Sequence, residues 1–444
     1  MRKYTFFVTI TLLIALFVPM TAEAVSFNPQ LDIKSEAVYM VNLDTNTVVY
    51  SKNENALLSP ASLTKIMTAG LLLEHFKDNP DALKTTFVSA PSVAFDEFVG
   101  VSVSTADFRI NEKISYNDLL YGLLLKSACE AGNIIAYNIG GNSIQNFVKM
   151  MNDKAKELGC TNTNFTNAHG LYDETQRTSA RDMVKITQWA MSLPKFMEIA
   201  STPQYTLQAT EAHPQPRTIV HTMYQMMVGP GAYYYKYVKG IKTGTLDEAG
   251  QCLVSTASKD GYNYLIASMN APIVPTGEKY NFLDHKALYE WAFSKLSTKS
   301  LINKDKEVGR VEVNYGKDSG FVLVKPAKEY SALWSSDVNI DSIKHVVKKE
   351  ESVNAPVKEG DKLGVLELQY NGEVISQVDL VATKSVSRDN LKYYFAVAKL
   401  FPSSKFFKIA IFASLGIFLV YTILFVTIYS KRKRRRTFSV KRKR

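Results

Sequence analysis

Ser62-Leu63-Thr64-Lys65 sets a hydroxyl and an amine three residues apart near the start of an apolar run. At that spacing two side chains share one helix face, so the amine can take the hydroxyl's proton and leave a nucleophile. Far downstream, Lys242-Thr243-Gly244 offers a second lysine at the edge of a strand, suited to hold an anionic substrate beside that nucleophile. Neither string is specific alone. Ser430 and Lys433 repeat Ser-x-x-Lys inside a basic tail that offers no site.

The elements around these strings decide whether they can act together. Ser59 and Pro60 precede the tetrad, a capping residue followed by a first-turn residue. Residues 61–76 continue with helix formers and an almost wholly apolar surface, including Ile66, Met67, Leu71 and Leu72, which predicts a buried helix. Ser62 and Lys65 are therefore expected in its first turn, where unpaired N–H groups and the helix dipole favour developing negative charge. Residues 37–41 and 47–50 read as a hairpin before it. Ser115-Tyr116-Asn117-Asp118 resembles a capping box, with Asp for the usual Glu, opening a helical run at 119–125. Further helices are expected at 131–137, 147–158 and 180–191, with 164–173 as a loop. After Gly240, residues 251–257 and 262–269 alternate as paired strands, and 286–296 closes the unit as a helix. Strands at both ends with helices between predict one unit whose sheet joins its two ends. From about Leu301 the texture becomes β-type, at 308–313, 321–324, 343–347 and 363–380, with Asn371-Gly372 as a two-residue hairpin turn.

Both ends of the chain speak of export. Arg2 and Lys3, an apolar stretch at 6–18 and Ala22-Glu23-Ala24 form a secretory signal pattern. Ile409 to Tyr429 contains no charged side chain and is long enough to cross a bilayer. The basic residues 431–436 and 441–444 that follow are expected to stay on the cytoplasmic side, leaving the rest of the chain outside. The formal charge is +11, but ten positive charges lie in that tail and two more at Arg2 and Lys3, so the segment between is at −1. The tail adjoins a span, which sets aside a nucleic-acid-binding role. Cys129, Cys160 and Cys252 are too few for a disulfide framework, and Cys160 and Cys252 read as packing. The histidines show no zinc-binding spacing.

With Ser62-x-x-Lys65 on a buried helix and Lys242-Thr243-Gly244 entering a strand, the chain resembles the penicillin-binding protein and serine β-lactamase group. More closely, it resembles the low-molecular-mass, serine-type D-alanyl-D-alanine carboxypeptidases. The strings that carry this likeness occur in order at residues 58–65 (LSPASLTK), 119–127 (LLYGLLLKS), 167–171 (NAHGL), 178–182 (TSARD) and 240–245 (GIKTGT). The resemblance implies Ser62 as the acylated nucleophile, Lys65 as its base and Ser127 as a proton relay toward the leaving amine. It implies that Lys242 and Thr243 orient the substrate's carboxylate, and that N–H groups of Ser62 and Thr245 form an oxyanion hole. The lysine base must be neutral, which burial and the charge of Lys242 favour. One departure stands out: the family's central Ser-x-Asn is here Ser127-x-Cys129. A thiol is a weak donor and weak acceptor where an amide is good at both, and Asn133 from the next turn is one possible substitute. Arg177 stands where relatives often carry His. Asn167 and His169 are read as loop-stabilising.

The expectations are then concrete. The fold is α+β: a serine β-lactamase/penicillin-binding transpeptidase-like domain, an antiparallel sheet with helices on both faces and a helical subdomain, followed by a small all-β domain and one C-terminal transmembrane helix. The boundaries are 1–24 for the signal, 27–298 for the catalytic domain, 301–390 for the β domain, 391–408 for a juxtamembrane segment, 409–429 for the span and 430–444 for the tail. The resemblance implies removal of the terminal D-alanine from peptidoglycan stem pentapeptides through an acyl-enzyme on Ser62. The catalytic residues are Ser62, Lys65 and Ser127, and the substrate-binding ones Lys242, Thr243, Gly244, Thr245 and Cys129. Partners are stem peptides, β-lactams as inhibitors and the membrane; no nucleic acid, metal or organic cofactor is implied. A catalytically impaired wall-binding scaffold and a DD-endopeptidase remain open. A β-lactamase is disfavoured, because no loop near Glu174 offers a deacylating glutamate.

Overall fold

The computed structural model describes residue 27 and residues 29–400, 402 and 404–440. The signal at 1–24 and the last four basic residues lie outside these. The described chain divides into two units, the first running to Lys299 with the addition of Ala332–Ile340, the second holding the remainder.

The first unit is built on an antiparallel sheet. Its strands are β1 (Ala37–Asn42), β2 (Thr47–Lys52), β3 (Val238–Leu246), β4 (Gly250–Lys259) and β5 (Tyr262–Ala271), in the order β2-β1-β5-β4-β3. The first hairpin thus pairs with the last strand, Val38 opposite Ser268 and Met40 opposite Ile266. The sheet joins the two ends of the unit, as the strand–helix order predicts. Alternation along β1 sorts the side chains between two faces. Ala37, Tyr39 and Val41 enter one apolar core with Ile66, Leu72 and Val184, and Val38 and Met40 enter another with Phe282, Leu288 and Tyr289.

Six helices position the site: α1 (Lys65–His75), α2 (Tyr116–Leu124), α3 (Cys129–Ile139), α4 (Ile144–Glu157), α5 (Ala180–Met191) and α6 (Tyr280–Lys295). Ser115 caps α2 by accepting from the Asp118 N–H, but the Asp118 carboxylate serves Tyr205 and the Gln208 N–H. The expected cap at Ser59 is not made: Ala61–Thr64 forms a 3-10 turn entered through Pro60, and α1 begins only at Lys65. Helix α6 starts six residues earlier than its sequence pattern suggested. A short hairpin, Gln204–Leu207 with Arg217–Val220, was not foreseen.

The second unit is a six-stranded sheet. Its strands are β6 (Gly309–Asn314), β7 (Phe321–Pro326), β8 (Lys344–Lys349), β9 (Ser352–Asn354), β10 (Lys362–Tyr370) and β11 (Glu373–Ala382), in the order β8-β10-β11-β7-β6-β9. Asn371 and Gly372 both have positive φ, which a type I′ hairpin turn requires, and close β10 on β11. Helix α7 (Asn390–Leu400) and helix α8 (Lys405–Val440) follow. Within α8, Lys405–Arg432 is long and apolar enough to cross a membrane, with mean hydropathy 2.6.

Helix α6 is tied to the sheet by buried polar groups. Asp284 accepts from both N–H and Oγ of Ser35, and His285 bridges Ser255 and Ser268 at 2.7 and 2.9 Å. Burial lowers the His285 pKa from 6.5 to about 3. In that interval the unfolded chain binds a proton that the folded chain refuses, so stability falls as pH drops below 6.5. Lowering pH from 7 to 5 is expected to cost about 2 kcal/mol through His285 alone. Thermal melts of the native protein and His285→Gln test this, the substitution flattening the dependence on pH between 5 and 7.

Candidate active site

Ser62 sits on a strained turn in front of a buried helix. A 3-10 turn eclipses residues i and i+3, which brings Lys65 Nζ to 2.9 Å from Ser62 Oγ. Ala61, just before the serine, is held at φ +46, a conformation costly for a residue with a Cβ. Two contacts hold it there. Thr64 Oγ1 donates to the Ala61 carbonyl at 2.8 Å, and Gly170 packs against the same carbonyl so closely that a Cβ would sit 1.9 Å from it.

Lys65 is fully buried, and its amine also donates to the His169 carbonyl and lies 3.5 Å from Cys129 Sγ. Burial holds its pKa below the ordinary lysine value, against the opposing pull of Cys129 and Glu130. The loop that supplies the carbonyl is fixed by its own side chains. Asn167 Oδ1 accepts the N–H groups of His169 and Gly170, and the His169 ring accepts from Leu171 N–H and contacts Glu97 at 2.9 Å. Burial lowers the His169 pKa despite Glu97, so the ring is a neutral strut and its main chain meets the lysine.

A second hydroxyl–amine pair faces the first. Ser127 follows α2 at φ +63 and accepts from Lys242 Nζ at 2.9 Å; the same amine donates to the Thr243 carbonyl at 2.8 Å. Lys242 is also fully buried, and burial followed by the charge of Lys65 puts its pKa well below normal. Cys129 opens α3, and its N–H donates to the Ser104 carbonyl at 2.9 Å. Asn133 does not replace the missing amide, because its NH2 is spent on the Ala94 carbonyl and on Glu97.

These pairs meet at a cleft of about 380 Å³ whose lining includes Ser62, Ser127, Thr243, Gly244, Thr245 and Lys279. Strand β3, at the sheet edge, passes so close to the Ser62 turn that a Cβ on Gly244 would lie 3.1 Å from Ser62 N. Lys65, Cys129 and Lys242 are not in the lining and stand behind it. Thr222 reaches the wall through a 2.8 Å hydrogen bond with Thr243. Sequence reasoning missed Lys279, Ser104 and Gln251, which lie in the same lining. Lys279 is its charged side chain among the described residues, half-buried, over the Phe282 ring, with a pKa lowered by burial. No spacing rule links it to Ser62. A larger cavity of about 530 Å³ lies elsewhere, around Glu112, Asp118 and Thr210, and its one serine, Ser115, is a helix cap.

The chain is similar to known proteins over both of its units. Residues 22–273 match the D-alanyl-D-alanine carboxypeptidase family, and residues 296–388 match the penicillin-binding protein 5 C-terminal domain. The D-alanyl-D-alanine carboxypeptidase DacF of Bacillus subtilis is 28% identical over 359 residues, which is 81% of this chain and 87% of that protein. The crystal structure of DacD from Francisella tularensis superposes with a TM-score of 0.65 at 21% identity, covering 84% of this chain and 98% of that one, a likeness of fold. A Streptomyces DD-transpeptidase structure, 26% identical, has a TM-score of 0.53 and covers 60% of this chain and all of its own. Solved variants of that enzyme include one with a serine changed to alanine and another with a cysteine two residues further on changed to asparagine, the spacing of Ser127 and Cys129. The strings around Ser62, Ser127 and Lys242, the sheet that joins them and these matches agree: the chain belongs to the D-alanyl-D-alanine carboxypeptidase family.

Proposed function

We propose that this protein is a serine-type carboxypeptidase that removes the terminal D-alanine of peptidoglycan stem pentapeptides. The observation that carries the reading is the 2.9 Å contact between Ser62 Oγ, at the cleft surface, and a Lys65 amine whose burial favours the neutral form. Lys65 takes the hydroxyl proton as Ser62 Oγ bonds to the carbonyl carbon of the penultimate D-alanine. The N–H groups of Ser62 and Thr245 receive the oxyanion, a contribution of roughly 3 kcal/mol per donor. Ser127 passes a proton to the leaving amine as the C–N bond breaks, and the proton held on Lys65 replaces it, which leaves the lysine neutral again. Water, deprotonated by the same lysine, then cleaves the ester and restores Ser62. A β-lactam acylates the same oxygen in place of the peptide.

The assignment of the carboxylate changes from the sequence reading. Lys242 points its buried amine at Ser127 and at the Thr243 carbonyl, so we assign it to the proton relay. We assign the substrate's carboxylate to the hydroxyls of Thr243 and Thr245 together with Lys279. Gly244 leaves β3 free to pass the nucleophile, and the substrate backbone adds along that edge strand. Cys129 packs behind Lys65 and anchors Ser104. Residues 27–298 then act as the catalytic domain and 301–390 as a spacer, followed by the juxtamembrane segment 391–408. The span at 409–429 anchors the enzyme to the outer face of the cell membrane, with the tail at 430–444 inside. The charge-free run at 409–429 within Lys405–Arg432, and the basic residues that follow it, support that placement.

Three outcomes are expected. The native protein incorporates a labelled β-lactam and releases D-alanine from a pentapeptide, and Ser62→Ala does neither; release by that variant would sink the acyl-enzyme mechanism. Lys279→Ala lowers kcat/KM for the pentapeptide by about 10- to 100-fold, the loss of one charge-assisted contact, and leaves a peptide with an amidated C-terminus almost unaffected. Cys129→Asn accelerates label incorporation, since an amide is the better donor and acceptor; an unchanged or slower rate would mean that the site has adapted around the thiol.

A further inference from the structure

The Lys65 amine meets the Ser62 hydroxyl, the Cys129 thiol and the His169 carbonyl. A neutral amine has two N–H groups and one lone pair. To act as a base it must aim the lone pair at the Ser62 proton, which leaves its N–H groups for the other two partners. A thiol accepts only weakly, so the His169 carbonyl is the firm anchor of the amine's orientation. Whatever holds that carbonyl therefore bears on the direction of the lone pair.

The His169 ring is held to one tautomer. Its Nδ1 accepts the Leu171 N–H at 3.2 Å, so the proton of the neutral ring lies on Nε2. The ring is fully buried, and its Nε2 meets Glu97 Oε1 at 2.9 Å. Asn133 donates to the same oxygen from α3 at 2.5 Å, and Phe98 stands edge-on to the ring with centres 5.1 Å apart. Glu97 and Phe98 belong to a single 3-10 turn, Asp96–Phe98, within a strap at 94–104. The strap is tied at both ends, the Ala94 carbonyl to Asn133 and the Ser104 carbonyl to the Cys129 N–H. Its middle meets the loop beside Lys65 through Glu97 and Phe98.

That loop has other supports for its main chain. Asn167 Oδ1 accepts from His169 and Gly170, and Gln176 Oε1 accepts from Thr166 and Asn167. Nearly half of the Glu97 side chain is exposed, at 47%, so its removal empties no core. What Glu97 supplies is an acceptor for one buried N–H.

We infer that Glu97 is a positioning residue for the base: it accepts the His169 Nε2–H, fixes the ring, and through it steadies the carbonyl that orients the Lys65 amine. The inference rests on the carboxypeptidase reading and adds to it a residue outside the cleft lining. Without this acceptor a buried donor is left unpaired, and the ring turns in search of water. Its bond to Leu171 is lost with the turn, and the Lys65 lone pair is spread over several directions. Proton transfer slows, whereas the groups assigned to the substrate's carboxylate, Thr243, Thr245 and Lys279, stay in place.

Detergent-solubilised full-length protein, Glu97→Ala and Glu97→Gln are compared for incorporation of a labelled β-lactam and for D-alanine release from a pentapeptide. Melting temperature checks the folding of each. Glu97→Ala is expected to lower kcat and the labelling rate by roughly 10- to 100-fold, the usual cost of a misdirected reacting group, with KM changed by less than about twofold. Glu97→Gln keeps an oxygen for the Nε2–H and should stay within about threefold of the native rate. In a His169→Ala background no ring remains to be held, so adding Glu97→Ala should cost less than about twofold. Native-like turnover by Glu97→Ala, a loss confined to KM, an equal loss in Glu97→Gln, or the full loss in the His169→Ala background would overturn the role of Glu97 alone. A native protein that neither takes the label nor releases D-alanine would instead overturn the carboxypeptidase reading on which it stands.

Discussion

Everything in the catalytic unit depends on taking one lysine amine out of water. An ammonium ion in a protein interior is several kcal/mol out of balance unless it is fully paired, and the cheapest remedy is loss of its proton. Lys65 has Ser62, the His169 carbonyl and Cys129 around its amine, and no carboxylate among its hydrogen-bond partners in the described residues. Lys242 stands nearby, also buried, and each amine makes a proton on the other less favourable. Glu130, the carboxylate whose charge bears on Lys65, turns one oxygen to the loop at 105–108, where Thr105 Oγ1 and the Ala106 N–H donate to it at 2.6 and 2.7 Å. Burial drives the site toward neutral amines, which is what a hydroxyl-activating base requires.

Such a site needs walls that do not relax. The two serines pay for their positions in backbone strain, Ala61 at φ +46 beside Ser62 and Ser127 at φ +63, each costing on the order of 1–3 kcal/mol. The strain persists because rigid elements surround it. Helix α1 is buried from Lys65 through Leu73, and the Asn167–Leu171 loop presses its glycine beneath the Ala61 carbonyl. Relaxing either serine would uncouple it from its lysine.

Cys129 shows how one position can keep half of a role. Its main chain anchors Ser104 at the cleft, a task independent of the side chain. Its thiol keeps contact with Lys65 but accepts a hydrogen bond only weakly. A weak acceptor stabilises an ammonium ion poorly, so the substitution leaves burial to set the protonation of the lysine.

Local signals determined much of this protein. β-Rich composition marked the strand at 37–41, alternation those at 251–257 and 262–269, the helix at 180–191 needed no revision, and Asn371-Gly372 marked its hairpin, because each depends on neighbours in the chain. The tetrad at Ser62 and the strings around Ser127 and Lys242 were legible for the same reason. Contacts across the chain were not. The sequence could not set the register of β1 on β5, join Ser127 to Lys242 over 115 residues, or bring Lys279 to a cleft opened by Ser62. Nor could it show that Lys242 points inward, or that Ser62 stands on a 3-10 turn. Side-chain chemistry and periodicity are written residue by residue, whereas burial, strain and the direction of a buried amine arise only when distant segments pack together. Tertiary structure therefore decided that Lys65 and Lys242 are buried against Ser62 and Ser127, and that Lys279 is left at the cleft.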